Sequence, residues 1–238
     1  MNNIDKLKEL INKSNNIVVL TGAGVSTLSG IPDFRSNDGL YNQNNKYDYP
    51  PEYLLSSNCF YNHTDIFYDY YKNNMNLLKY EPNIIHKYLK KLEDQHKLLG
   101  IITQNIDGLH TKAGNKLVYE IHGSIYNNYC LKCNKYYDAN YLFKDNKIPK
   151  CSCGGIIKPD VVLYGEALPD SFNYAIKLVE KADLFLILGT SLSVFPASNL
   201  VNFFNGDNLV IVTKSKTIYD NKANLVINDD LEEVFNNL

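Results

Sequence analysis

Short apolar runs without polar interruption recur along the chain, at residues 17–20 (IVVL), 98–103 (LLGIIT), 184–188 (LFLIL), 209–213 (LVIVT) and 225–227 (LVI). A strand covered on both faces reads this way, because neither side of its pleat meets water. Elsewhere the apolar positions fall at helical spacing. Ile4, Leu7, Leu10 and Ile11 share one face of a helix predicted over 5–13, and similar stripes run through 82–93, 171–181 and 196–204. Apolar strands alternating with amphipathic helices predict an α/β fold built on a doubly wound, parallel, Rossmann-like sheet.

Two stretches break the rhythm. Residues 37–80 are rich in Asn and Tyr, loop-like at first and helical from about Pro51, and residues 123–159 carry four clustered cysteines. We therefore expect residues 1–36, 81–122 and 160–238 to build the Rossmann-like domain. Residues 37–80 and 123–159 are inserts that together make a smaller helical and zinc-binding lobe. A chain of 238 residues is long enough for one sizeable core and such a lobe.

Composition narrows the setting. Lys plus Arg total 24 against 26 for Asp plus Glu, a formal net charge of −2. That balance gives no general attraction to nucleic acid or an anionic membrane, and direct nucleic-acid binding is not expected. The polar N-terminus lacks the charged head and apolar core of a signal peptide, and no apolar run approaches a membrane span of about 20 residues. A cytoplasmic monomer is the expectation.

The cysteines agree. Cys59 stands alone, while Cys130 and Cys133 (CLKC) and Cys151 and Cys153 (CSC) are separated by 17 residues. Two turns, each offering two thiolates, can close a tetrahedron around one Zn²⁺; four thiolates leave no position for water, so the metal would be structural. Redox pairs or plain buried thiols are the alternatives. A short insert with little core of its own favours the metal.

After the first apolar run comes GAGVSTLSGIPDFRS, residues 22–36. Gly22 and Gly24 permit a sharp turn and a close approach of backbone N–H groups to a pyrophosphate. The next glycine, Gly30, arrives six residues after Gly24 rather than three, and no acidic residue clearly follows a second strand. An ordinary hydride-transfer enzyme therefore fits poorly, and a bare strand-to-helix turn remains an alternative. Other polar clusters stand out: TQNIDGLH at 103–110 and GTSLSVFPA at 189–197 each follow a predicted strand, and EIHGS at 120–124 presents His122 just before the cysteine-bearing insert. Ligands of doubly wound sheets bind at such carboxyl ends. Each cluster also has a structural reading, with Asn105 and Asp107 capping turns and His122 as an interior imidazole.

Taken together with KPDVVLYGE at 158–166, these motifs make the chain resemble the sirtuins, NAD-dependent protein deacylases of the silent-information-regulator family, in their bacterial, acetyl-preferring form. The resemblance runs from about Ile17 to Asp230. It implies that Gly22, Ala23, Gly24, Thr27, Gly189, Thr190 and Ser191 hold the dinucleotide, with Asp33, Phe34 and Arg35 in a loop folding over the nicotinamide ribose. Gln104 and Asn105 would hold the ribose and an ordered water. Ile106 and Asp107 would line the nicotinamide pocket. Thr213 and Asp230 would face the adenosine side.

It also implies a peptide sandwiched as an added strand between Val161, Leu163, Tyr164, Gly165 and Glu166 on one side and Ser193, Val194 and Phe195 on the other. His122, with Asn105 beside it among the catalytic groups, would act as a neutral base on a ribose hydroxyl. The products implied are free lysine, nicotinamide and O-acetyl-ADP-ribose, with acetylated proteins or peptides as partners. ADP-ribosyl transfer, NAD hydrolysis and non-catalytic NAD sensing are the alternatives. The chain departs from the common family pattern at Thr213, Lys158 and Ser193. Relatives that remove succinyl or malonyl groups carry a Tyr-x-x-Arg pair; here the matching stretch, 67–72, has Tyr68, Tyr71 and then Lys72. An uncharged acyl group is therefore expected, acetyl first.

Overall fold

The computed structural model describes residues 2–33, 39–41 and 46–238. Its strands, among the described residues, are β1 (Ile17–Thr21), β2 (Leu98–Thr103), β3 (Val118–Glu120), β4 (Gly123–Cys130), β5 (Tyr136–Tyr137), β6 (Ile157–Val161), β7 (Leu184–Leu188), β8 (Asn208–Val212) and β9 (Leu225–Ile227). The helices are α1 (Asn3–Lys13), α2 (Pro51–Leu54), α3 (Ser57–Asn62), α4 (Thr64–Asn74), α5 (Ile84–Asp94), α6 (Leu109–Lys112), α7 (Ala139–Phe143), α8 (Ser171–Val179) and α9 (Leu231–Asn236).

Six strands form one parallel sheet in the order β3-β2-β1-β7-β8-β9. The central strands β1 and β7 are buried at every residue, as their unbroken apolar sequences require. Alternation sends the odd and even residues of each strand to opposite faces. Ile17 and Val19 meet Leu7 and Ile11 of α1, Ile85 and Leu89 of α5, and Val234 of α9 on one side. Val18 and Leu20 meet Ala175 and Val179 of α8 with Ala197 and Leu200 on the other. The helix expected over 196–204 is a 3₁₀ segment, Ala197–Phe203, whose three-residue period stacks Ala197 and Leu200 over the sheet.

The chain leaves β1 toward β2 and β3, then returns on the far side of β1 as β7, β8 and β9. The winding reverses between β1 and β7, and a crevice opens at their carboxyl ends.

The cysteine-bearing insert forms an antiparallel sheet, β5-β4-β6, which runs on to Val161, past residue 159. Helices α2 to α4 pack beside it through an aromatic core. Phe60 meets Phe67 edge-on, and Tyr71 stacks between Phe67 and Phe143. The Tyr68 hydroxyl donates to the Ile157 carbonyl of β6. Buried Lys72 donates to the Asp145 and Lys147 carbonyls at 2.7 and 2.6 Å, tying α4 to the loop after α7; burial lowers its pKa.

Candidate active site in the sheet crevice

The glycine turn after β1 is packed against the turn after β7. A Cβ on Gly22 would stand 2.6 Å from Thr190 Cβ, and one on Gly24 would stand 2.9 Å from Gly189 Cα. Gly189 itself has φ +60°, and a Cβ there would meet Val25 N at 2.6 Å. The Gly22 and Gly24 amides donate to Leu188 O at 3.0 Å and Gly189 O at 2.9 Å. These glycines thus serve first to let two strand ends touch, and those two amides are committed to that contact. Behind them stand two 3₁₀ turns, Ala23–Val25 and Thr27–Ser29, instead of an α-helix; the Thr27 hydroxyl donates to Gly24 O at 3.0 Å. The Leu40 amide donates to Asp33 O at 2.8 Å. Phe34 and Arg35 lie outside the described residues.

At the end of β2 the polar groups interlock. Asp107 is 3% exposed and receives the Ser26 hydroxyl at 2.6 Å and the Leu109 amide at 2.9 Å. Burial pushes its carboxyl above the usual range, against the pull of those two donors. The Asn105 amide group donates to Gly22 O and to Ser26 Oγ, both at 3.0 Å. Ile106 lies against the small-lobe core, and its carbonyl takes the Ile125 amide at 3.1 Å. Ser26 was not singled out from the sequence. Its importance lies in contacts with residues about eighty positions away, and its place inside the glycine motif was the only available signal.

Gln104 bridges the crevice, its side chain donating to Thr190 Oγ1 at 3.1 Å. Its carbonyl lies 2.9 Å from Nδ1 of His122, two residues past the end of β3. A carbonyl only accepts, so the proton sits on Nδ1 and Nε2 is bare. Burial lowers the His122 pKa, with the Gln104 bond opposing. The neighbouring Glu120 carboxyl is pushed up to about 7, chiefly by burial.

The segments expected to hold a peptide lie on two different supports. Tyr164 donates to Leu55 O and accepts from the Ser57 amide, both at 3.0 Å, so its backbone is taken up by the helical insert. Glu166 accepts from the Leu163 amide at 2.9 Å and from Lys158 Nζ at 3.1 Å. Gly165 has φ +90°, which bends the chain between them. Val161 and Leu163 are buried in the small-lobe core. Opposite, Ser193 pairs with Ser191 at 2.8 Å, the Val194 carbonyl takes the Ser198 amide at 2.9 Å, and the Phe195 ring is 74% exposed.

On the far side, Thr213 is buried and donates its amide to Ile227 O at 3.1 Å. Asp230 caps α9 through the Glu232 amide at 2.9 Å and pairs with Lys214 at 2.7 Å, so its carboxylate already has two tasks.

In the small lobe, the Sγ atoms of Cys130, Cys133, Cys151 and Cys153 all lie within 4.8 Å of one another. A tetrahedron with Zn–S bonds of about 2.3 Å has edges of roughly 3.8 Å, so the set fits the ion. The Cys153 amide donates to Cys151 Sγ at 3.5 Å and holds that thiol down at about 5. A Cβ on Gly155 would strike Cys130 Sγ at 2.7 Å, and Gly154 has φ +83°, which accounts for the CGG spelling. Cys59 is different: burial pushes its thiol up to about 11, which suits packing.

Comparison with known proteins agrees with this geometry. The model of the Sir2 family matches residues 22–196. A Clostridium acetobutylicum protein named NAD-dependent protein deacetylase is 49% identical, with 98% of this chain and 97% of that relative covered. A solved Sir2 variant with a deacetylated p53 peptide and 3'-O-acetyl ADP ribose superposes with a TM-score of 0.90 at 37% identity, covering 99% and 97% of the two chains. A Sir2 complex with p53 peptide and NAD+ gives 0.85 at 38% identity, covering 99% and 96%. The chain belongs to the Sir2 family.

Proposed function

We propose that this chain is an NAD-dependent protein deacetylase, which moves the acetyl group of an acetyl-lysine to ADP-ribose and releases nicotinamide. The observation that carries the proposal is the tautomer of His122. Its Nδ1–H is anchored on Gln104 O, so a bare, basic Nε2 is presented in the crevice at neutral pH. NAD held there would supply an electrophilic ribose carbon, to accept the acyl oxygen, and nicotinamide as the leaving group. The glycine turn, Thr27, Thr190 and Ser191 border the place for the dinucleotide, and Gln104, Asn105 and Asp107 border its nicotinamide end. Thr213 stands at the adenosine side. The relatives named for this activity, and the solved neighbours holding NAD+ or acetyl ADP ribose with peptide, support the reading.

Acetyl is the preferred group. Where succinyl-removing members place an arginine, Tyr71 is wholly buried between two rings, and Lys72 is bound to two carbonyls. No described side chain there is placed to meet an acyl carboxylate. Zn²⁺ on the four cysteines braces the small lobe, residues 37–80 and 123–159, and takes no part in the chemistry. No described helix is long and apolar enough to cross a membrane; a cytoplasmic monomer acting on proteins or peptides is our working picture.

The test is incubation of the purified protein with NAD and acetyl-, propionyl- and succinyl-lysine peptides, read by mass spectrometry. We expect O-acetyl-ADP-ribose and nicotinamide in equal amounts, fastest with acetyl. Preference for succinyl overturns the acyl assignment. Nicotinamide release without acyl transfer overturns the deacetylase in favour of ADP-ribosyl transfer or NAD hydrolysis.

A further inference from the structure

Behind the crevice, His86 of α5, His110 of α6 and Asn115 form a cluster that the proposed chemistry does not use. Their exposures are 0%, 2% and 2%. The two imidazole centroids are 4.7 Å apart and tilted by 55°, and no direct hydrogen bond joins the rings. Asn115 Nδ2 reaches the carbonyls of both histidines, at 3.3 Å and 3.1 Å. Three polar atoms of this one cluster have no partner among the described residues: His86 Nε2, His110 Nδ1 and Asn115 Oδ1. Buried polar atoms are rarely left so, and three in mutual company point to a shared ligand.

Hydrogen-bond bookkeeping identifies that ligand. The Asn83 amide donates to His86 Nδ1 at 3.3 Å, so neutral His86 carries its proton on Nε2, an unpartnered donor. The Thr21 hydroxyl donates its single proton to Thr103 Oγ1 at 2.9 Å. Its 3.0 Å contact with His110 Nε2 must then run from the ring to the hydroxyl. His110 is therefore protonated on Nε2 and bare on Nδ1, an unpartnered acceptor. Asn115 Oδ1 is a second acceptor. A metal ion would be repelled by the His86 N–H, and an anion by the two acceptors.

We propose that His86, His110 and Asn115 bind a single internal water, which accepts from His86 Nε2–H and donates to His110 Nδ1 and Asn115 Oδ1. Three bonds is the usual complement of a buried water. The consequence reaches the crevice. With its Nδ1 occupied by the water's proton, His110 is locked as a donor to Thr21, Thr21 as a donor to Thr103, and Thr103 Oγ1 as acceptor of the Asn105 amide at 3.1 Å. His110 is in this sense a positioning residue for Asn105. The inference does not rest on the deacetylase reading, since the test needs no substrate.

Wild-type protein labelled with ¹⁵N-histidine is examined by long-range ¹H–¹⁵N spectroscopy from about pH 5.5 to 8, beside a high-resolution crystal structure. Both rings are expected to show protonated Nε2 and bare Nδ1 throughout, because burial holds both pKa values down. One ordered water is expected within about 3 Å of all three atoms. A His110 proton on Nδ1, protonation of either ring in this range, or a dry site with the three atoms repacked against protein overturns the proposal.

Discussion

The 2.9 Å contact from His122 Nδ1 to the Gln104 carbonyl leaves no choice about where the ring's proton sits, and so decides which nitrogen is available for chemistry. Gln104 does this with its backbone, so His122 orientation is tied to the path of the chain after β2, not to a rotatable side chain. Replacing His122 with Ala should lower deacetylation by a factor of about 10²–10⁴, the usual worth of a general base, while NAD affinity measured by calorimetry stays within a few-fold. Full activity in that variant would remove His122 from the reaction. Ser26 shows a different kind of dependence. It ties Asp107 to Asn105, yet apart from its place in the glycine motif its local sequence does not announce it, because the partners are brought together only by the sheet.

At the scale of elements, the strands were legible wherever burial is complete. An unbroken apolar run such as LFLIL has no other stable home, and β1, β2, β7, β8 and β9 appear within a residue of their expected bounds. Strand β3 was missed because its three residues, VYE, are only half buried at the sheet edge. Strand β4 was missed because its apolar pattern is broken by two asparagines; one of them, Asn128, is buried and bonded to Ile125 O and Tyr137 O, an internal polar role that reads as a loop. The glycine turn was legible as a turn, whereas its contact with Gly189 requires two segments far apart in sequence. The small sheet carries its own prediction. It shares its apolar core with α2 to α4, while the turns at its far end are held by the cysteine cluster, and structural zinc sites supply folding energy directly. The protein should bind one Zn²⁺ per chain, and a strong chelator should abolish deacetylation. Amide exchange should then accelerate through β4 to β6 first, with β1 and β7 still protected. Unchanged exchange in β4 to β6 after metal removal would contradict a bracing role.

For the whole molecule, the buried and half-buried titratable groups set opposite slopes of stability against pH. His86, His110 and His122 all have depressed pKa values, His86 to about 4. The unfolded chain binds their protons first, so the stability they permit is present above about pH 6.5 and is lost on acidification toward the folded values. Glu120 acts the other way. Its folded pKa of about 7 lies above the ordinary value of 4.5, so its contribution is full below about pH 4.5 and disappears as pH rises through 7. Glu120→Gln should therefore be more stable than wild type at pH 8, by up to roughly 3 kcal/mol, and indistinguishable near pH 4.5. Urea titrations at the two pH values check this; equal stability at both would mean that the carboxylate is solvated in the folded state.

The attachment of Tyr164 to Leu55 and Ser57 reaches beyond the segment itself. Its strip of chain is fastened to the helical insert, whereas Ser193 to Phe195 follow strand β7 of the parallel sheet. A guest strand laid between them would be clasped by jaws mounted on separate handles. For a peptide held there as proposed, the spacing of the two handles would set the width of the jaws, and tightness of grip would depend on that spacing as much as on the residues that touch the guest.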